Sequence, residues 1–227
     1  MRKLRLPAAL GALLLVAPAA RAATPAETYS VLIAAAEQGH KIDAQALRDA
    51  YVRLPGYDPY AITRPAFVRL LSAYYKADYD TACPMLETLL KTNYVETVLH
   101  VLRAKCLDRA HVTLEGLIAK LAVVQELTDA ILKTGDGKSL ATAYRIVTFS
   151  ELAAVSGRDR MQFDGVAEVS ADGHRYLLIE GPVSHSVARR PDGTFSPAIW
   201  KKVFFNIDAF RASAAPMPKN LFAGRHA

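Results

Sequence analysis

Two kinds of hydrophobic periodicity divide this chain. From Tyr29 to Leu132 the apolar residues recur at intervals of three or four, which is typical of helices that pack by one face. After residue 135, short alternating stretches are separated by Asp-Gly turns, which is typical of β-hairpins. The pattern predicts an α+β fold: antiparallel helical hairpins over residues 23–134, then a small antiparallel β-sheet docked on them, with a short helix and a frayed tail, over residues 135–227.

Start and stop signals predict about six helices. Thr24-Pro25-Ala26-Glu27 has the form of a capping box and opens the first helix, which ends near Gly39. Asp43 caps a second helix that Pro55-Gly56 stops, and a third begins near Pro65. Later helices are predicted over 95–107 and 112–132, and the short one over 151–155.

The middle of the helical half resembles a tetratricopeptide repeat. The stretch Tyr74–Ala82 is similar to the turn of that repeat, and Phe67, Leu70 and Ala82 fall near its packing positions. Because a repeat array needs about three units to bury a continuous core, we expect a degenerate helical pair and not an array.

Four segments of the second half are predicted strands. They cover residues 142–148, 163–170, 174–180 and 200–207, and pairing is also possible over 183–187. Asp172-Gly173, between the second and third, is a hairpin signal.

Residues 1–22 carry the pattern of a signal peptide, with a basic start, an Ala/Leu-rich run over 6–18 and a cleavage signal at Ala20-Arg21-Ala22. The run is too short to span a bilayer, and no later run of about 18 apolar residues follows. We therefore expect a protein without a membrane span, periplasmic or secreted after cleavage near Ala22.

The predicted signal peptide also accounts for much of the chain's net positive charge. It holds four of the 28 basic residues and none of the 22 acidic ones, so the mature chain would carry 24 basic against 22 acidic residues. The high isoelectric point therefore does not favour a nucleic-acid partner.

Cys83 and Cys106 are the only cysteines. In an oxidising compartment an even pair predicts a disulfide. The helices that carry them flank the turn near Asn93–Tyr94, and in such an antiparallel hairpin the two residues lie at roughly similar heights. Metal binding is the weaker alternative, since neither cysteine has a second ligand at a typical spacing.

Two groups of residues are candidate binding sites. Tyr51, Tyr57 and Tyr60 form either an aromatic recognition surface or, more simply, a rigid loop whose rings pack on the helices. Asp136, Lys138 and Ser139 lie at the junction of the two halves, in the stretch Gly135–Ser139 that ends in Gly-Lys-Ser. A phosphate-binding loop needs an earlier glycine and a preceding strand, so the glycines are better explained by a helix end at Gly135 and a turn at Asp136-Gly137.

The six histidines form no ligand pair at metal-binding spacing. His174 and His185 are able to meet across strands, with Asp164 or Glu168 as further ligands, but surface histidines are the simpler interpretation. The basic pairs Arg189-Arg190 and Lys201-Lys202 suggest either a contact with an anionic surface or protection of a sheet edge. We predict no metal and no cofactor.

Several short segments, taken in their order along the chain, resemble an uncharacterised bacterial family, domain of unknown function 4919. The segments are Leu47–Tyr51, Tyr57–Tyr60, Gly135–Tyr144, Gly173–Tyr176 and Phe204–Asp208, and they cover nearly the whole predicted mature chain. The chain departs from the family in a lengthening between Glu180 and Trp200. The resemblance implies export and helices followed by a sheet, and it supplies no activity.

The preferred function is therefore an exported accessory or interaction protein that binds a peptide or protein segment, through the helical concavity or the tyrosine loop. The alternative is a hydrolase of cell-envelope material with a site at the junction of the two halves. A cleft that pairs Asp136 and Lys138 with a histidine would favour the hydrolase.

Overall fold

The computed structural model of the chain describes residues 22–158, 161, 165–183, 199–216 and 218. Within them, helices precede a small sheet, which confirms the predicted α+β fold. The helices are α1 (Pro25–Glu37), α2 (Ala44–Val52), α3 (Pro65–Tyr75), α4 (Tyr79–Thr92), α5 (Thr97–Arg109), α6 (Leu114–Leu132) and α7 (Glu151–Arg158). The strands are β1 (Tyr144–Arg145), β2 (Gly165–Ala171), β3 (His174–Pro182) and β4 (Trp200–Asn206). Short 3-10 helices cover Ala61–Thr63 and Asp208–Ala212.

Side-chain caps define where several helices begin. The Thr24–Glu27 capping box of α1 is complete, and Asp43 caps α2 by accepting a hydrogen bond from the backbone N–H of Ala46. Asp78 and Thr113 cap α4 and α6 in the same way. Because a cap satisfies N–H groups that have no partner inside the helix, these starts are set locally by the sequence.

The helices pack as successive neighbours. Contacts join α1 to α2 and each of α3, α4 and α5 to the helix that follows it, while the long α6 also reaches back to α1 and α2. The disulfide between Cys83 and Cys106 is present and joins α4 to α5, with their Cα atoms 5.7 Å apart. In the part of the chain that the structure describes, no helix is both long and apolar enough to cross a membrane.

The sheet has the strand order β1-β4-β3-β2. β2 and β3 form the predicted hairpin, whose turn residues Asp172 and Gly173 both have positive φ, at 51° and 79°. β3 pairs with β4, also antiparallel, and places Leu177 opposite Phe205. Both side chains are fully buried against the helices.

Two expectations about the sheet are corrected. The sheet is mixed and not purely antiparallel, since β1 runs parallel to β4. The strand predicted over 142–148 is reduced to Tyr144–Arg145, because side chains bond the backbone that follows: Glu151 accepts from the N–H of Val147, and the Tyr57 hydroxyl donates to the Val147 carbonyl. Of the pairing predicted over 183–187, Val183 bridges to Met161, and residues 184–187 lie outside the described residues.

Each half of the chain supplies a residue to the other half's core. Tyr60, from the loop before α3, belongs to the sheet-side cluster and packs edge-on against Phe210, at 5.3 Å between ring centroids. Val147, which follows β1, belongs to the helical cluster. The helices and the sheet therefore pack as two adjoining cores with exchanged side chains.

Candidate functional site

The three tyrosines of the candidate recognition surface are buried. Tyr51, Tyr57 and Tyr60 are only 2%, 5% and 3% exposed. The rings of Tyr51 and Tyr57 meet edge to face, with centroids 5.2 Å apart. Burial raises the pKa of each hydroxyl above its usual value. The packed-loop interpretation is confirmed, and an open surface formed by these three rings is wrong.

The tyrosine loop nevertheless borders a groove of about 380 Å³. We call it the tyrosine groove, and it lies between the loop after α2, the start of α3 and the end of α4. Its floor includes Tyr51 and Phe67, and the hydroxyl of Tyr51 lies 3.2 Å from the Asn93 side-chain oxygen. The volume lies in the range of small-ligand pockets.

The groove carries charge on its rim. Asp58 and Arg64 form an ion pair of 2.6 Å, and Asp58 also accepts from the backbone N–H of Tyr60. Lys91, at the end of α4, is exposed and makes no ion pair with a described residue. The Asp58 bonds hold the loop in one shape, while the Lys91 ammonium remains available to an anionic group.

The junction residues Asp136, Lys138 and Ser139 form an exposed turn. Asp136 pairs with Lys138 at 3.2 Å, and Ser139 shares a hydrogen bond with the hydroxyl of Thr142. Hydrogen bonds from Thr142 and Lys138 lower the pKa of Asp136 to about 2. No described histidine contacts these residues, so the arrangement is that of a backbone turn and gives no support to catalysis.

The glycines of this turn are explained differently from the expectation. α6 ends at Leu132, and Gly135 does not have a positive φ, so its predicted role as a left-handed helix terminator is wrong. A Cβ at Gly135 would press on the carbonyl oxygen of Thr142 and lie 2.8 Å from that of Ala143. Gly137 does have a positive φ of 69°, and its carbonyl accepts from the N–H of Phe204 in β4. The turn therefore needs glycine at both positions, for close approach at the first and for backbone conformation at the second.

Sequence reasoning missed a layer of buried charge between the two halves. Arg48 of α2 and Glu151 of α7 form an ion pair of 2.9 Å with almost no exposure of either side chain. Arg48 also donates to the carbonyl of Arg145, at 2.6 Å, and to Gln45. The signal available was the position of Arg48, which shares the buried face of α2 with Leu47 and Tyr51.

Glu96 is the least satisfied member of this layer. It immediately precedes α5, is fully buried, and accepts a hydrogen bond from the Ser150 hydroxyl through Oε2, while Oε1 has no partner among the described atoms. Burial, together with the nearby negative charge of Glu151, raises the pKa of Glu96 to about 8. The carboxyl is therefore largely protonated at neutral pH. No pattern in the sequence marks Glu96.

A second charged group lies inside the helical half. Glu37 accepts from Arg103 at 2.6 Å, from Lys120 at 2.7 Å and from the hydroxyl of Tyr94 at 2.6 Å. Burial alone would raise the pKa of Glu37, but these hydrogen bonds lower it to about 2. These contacts tie the end of α1 to the middle of α5 and to the first half of α6, which is a structural role.

The histidines do not form a metal centre in the described part of the chain, where no three His, Cys, Asp or Glu residues are grouped to hold an ion. His174 is bonded to Asp208, and His100 is buried with Nε2 2.7 Å from the carbonyl of Tyr94. His185, Asp164 and the pair Arg189-Arg190 lie outside the described residues. Lys202, in β4, pairs with Glu180.

Comparison of the chain with known protein families, with curated proteins and with solved structures found no significant match. The resemblances to the uncharacterised family and to the tetratricopeptide repeat therefore stay predictions. The site must be interpreted from its own geometry.

Proposed function

We propose that this protein is an exported accessory or interaction protein that binds a peptide or protein segment in the tyrosine groove. The disulfide between Cys83 and Cys106 is compatible with an extracellular or periplasmic location, where such bonds persist. Export itself rests on the leader pattern of residues 1–22.

The observation that carries the proposal is the combination of accessible apolar surface and an available cation in one groove. The partly buried Leu54 and Leu89 supply the apolar surface, and Lys91 lies in the same lining. A segment with an apolar side chain next to an acidic one would place the first against the leucines and the second on Lys91.

The shape of the groove supports binding without rearrangement. Tyr51 and Tyr57 are fixed by packing, and the Asp58–Arg64 ion pair closes the loop beside them. A site that is already ordered loses less entropy when it binds its ligand, so a small contact area still gives useful affinity.

Selection of a random heptapeptide display library on the immobilised protein tests the proposal. We expect enriched peptides to share an acidic residue beside an aromatic or aliphatic one. Two variants should each weaken the binding of an enriched peptide by at least about tenfold. They are Lys91→Glu, which reverses the charge, and Ala66→Trp, which fills the groove. Lys76→Glu, at the exposed end of α3 and outside the groove, is the matched control.

A charge exchange makes the assignment specific. A peptide whose acidic residue is replaced by lysine should bind wild type poorly and Lys91→Glu well, since the pair is restored with opposite signs. Enriched peptides that bind Ala66→Trp and wild type equally would place the binding surface elsewhere and refute the proposal.

The alternative of a cell-envelope hydrolase receives no support from the junction, where Asp136 pairs with Lys138 and the described residues offer no histidine beside them. Incubation with peptidoglycan fragments followed by mass spectrometry tests it directly. Release of products that disappears with Lys138→Ala would favour the hydrolase.

A further inference from the structure

A second cavity, of about 460 Å³, lies on a different part of the surface. It is bounded by the connection from α1 to α2, by the second half of α6, and by Thr134 and Arg145. None of its residues lines the tyrosine groove. Its charged lining residues are Lys41, Asp43, Glu126, Asp129, Lys133 and Arg145.

The charges of this cavity are not paired with one another. None of the six residues makes an ion pair with a described residue, although Arg103 and Lys120 elsewhere on the helices are paired with Glu37. Glu126 accepts a weak hydrogen bond of 3.3 Å from the N–H of Ile42, and Asp129 accepts from Gln125. Charges of both signs thus remain available to a ligand.

The two signs are separated along α6. Glu126 and Asp129 lie on one helix face with Lys133, and the rise of 1.5 Å per residue separates them from Lys133 by about 10 Å and 6 Å. Arg145 adds a second cation at the Lys133 end, because its backbone N–H donates to the hydroxyl of Thr134. At the other end, Lys41 offsets only part of the negative charge of Glu126, Asp129 and Asp43.

We propose that this cavity binds a free di- or tripeptide by its two ends. The peptide ammonium would lie at Glu126 and Asp129, and its carboxylate at Lys133 and Arg145. An extended dipeptide spans about 7 Å and a tripeptide about 10 Å, which match the axial spacing of Asp129 and Glu126 from Lys133, whereas a single amino acid is too short. The inference goes beyond the proposed function, since it concerns free peptide ends and a different cavity.

Titration calorimetry with trialanine at low ionic strength tests the inference, with N-acetyl-trialanine, trialanine amide and free alanine as comparisons. We expect saturable binding of trialanine, and a loss of at least about tenfold when either end is blocked. Free alanine should bind more weakly than trialanine, and added salt should weaken binding because the contacts are ionic.

Substitutions assign each end of the peptide. Lys133→Met and Arg145→Met should weaken trialanine but have little further effect on trialanine amide, which already lacks the carboxylate. Glu126→Gln should weaken the binding of trialanine but have little further effect on N-acetyl-trialanine, which already lacks the ammonium group. All three side chains are on the surface and only partly buried or exposed, so the variants should fold, and circular dichroism checks this.

Lys76→Met, which lies outside both cavities and changes the charge by the same amount as Lys133→Met, is the matched control and should leave trialanine binding unchanged. Loss of trialanine binding in Lys91→Glu would place the peptide in the tyrosine groove. Equal binding of blocked and free peptides, or no binding up to about 10 mM, would overturn the inference.

Discussion

At the scale of single residues, Glu96 makes stability depend on pH. Because the folded pKa of about 8 exceeds the ordinary value of 4.5, the folded state keeps a proton that the unfolded state has lost. The free energy of unfolding should therefore fall as pH rises from 4.5 to 8, by at most about 1.4 kcal/mol per pH unit. Chemical denaturation at a series of pH values measures this slope.

Glu96→Gln is the matched variant, since it keeps the shape and removes the titration. The unfolding free energy of this variant should not fall between pH 6.5 and 8. His100 has the opposite effect at lower pH: burial lowers its pKa from 6.5 to about 4, so stability is lost as pH falls through that window. A wild-type profile that stays flat from pH 6.5 to 8 would contradict the prediction for Glu96.

The disulfide gives a second prediction at this scale. Cys83 and Cys106 close a loop of 23 residues, and the chain-entropy account assigns such a loop about 3 kcal/mol of stability. The double variant Cys83→Ser, Cys106→Ser should unfold at correspondingly lower denaturant concentration. Wild type with a reductant should unfold at the same denaturant concentration as the variant. If reduced wild type unfolded at the same concentration as oxidised wild type instead, the bond would contribute nothing to stability.

At the scale of elements, the turn between α6 and β1 depends on its glycines. Gly135→Ala should destabilise the fold by about 1–3 kcal/mol, because the added methyl meets backbone carbonyls that cannot rotate away. Gly137→Ala should also destabilise, through its positive φ and the ring of Tyr144, 2.6 Å from the added carbon. Thermal unfolding compares both with Lys138→Ala, whose exposed side chain should be neutral.

The tyrosine loop gives the second prediction at this scale. Tyr51→Ala should cost about 3–5 kcal/mol, the range for a buried aromatic ring. Tyr57→Phe should cost about 1 kcal/mol, because its hydroxyl donates to the carbonyl of Val147 at 2.6 Å. Tyr60→Phe is the control, since no described atom accepts from its hydroxyl. The unfolding free energies are measured in urea. A loss for Tyr60→Phe as large as the loss for Tyr51→Ala would contradict this packing account.

The sequence predicted local features well and long-range contacts poorly. Helix starts at Thr24 and Asp43, the hairpin at Asp172-Gly173 and the disulfide all depend on neighbouring residues or on one helical hairpin, and all are present. The parallel pairing of β1 depends on residues distant in sequence. The partner of Glu96, Ser150, is equally distant, so neither could be anticipated from periodicity.

At the scale of the whole molecule, the exchange of Tyr60 and Val147 between the cores predicts a single unfolding transition. Calorimetric and van't Hoff enthalpies should therefore agree. Glu151→Gln should destabilise by about 3–5 kcal/mol, since it leaves the charge of Arg48 buried without its partner. The double variant Arg48→Met, Glu151→Leu should lose less unfolding free energy than Glu151→Gln alone. Two separate transitions in wild type would show that the halves unfold independently.

The strand order has a consequence for the time course of folding. The disulfide spans 23 residues, whereas the Arg48–Glu151 pair spans 103. β4 lies between β1 and β3 although it is the last strand among the described residues. Contacts that close short loops form early, and distant ones form late. During synthesis the helical hairpins are complete before β4 exists, and until then β1 and β3 each have an unpaired edge. Such edges associate readily with other chains, so the nascent protein is most exposed to aggregation in the interval before its last strand arrives.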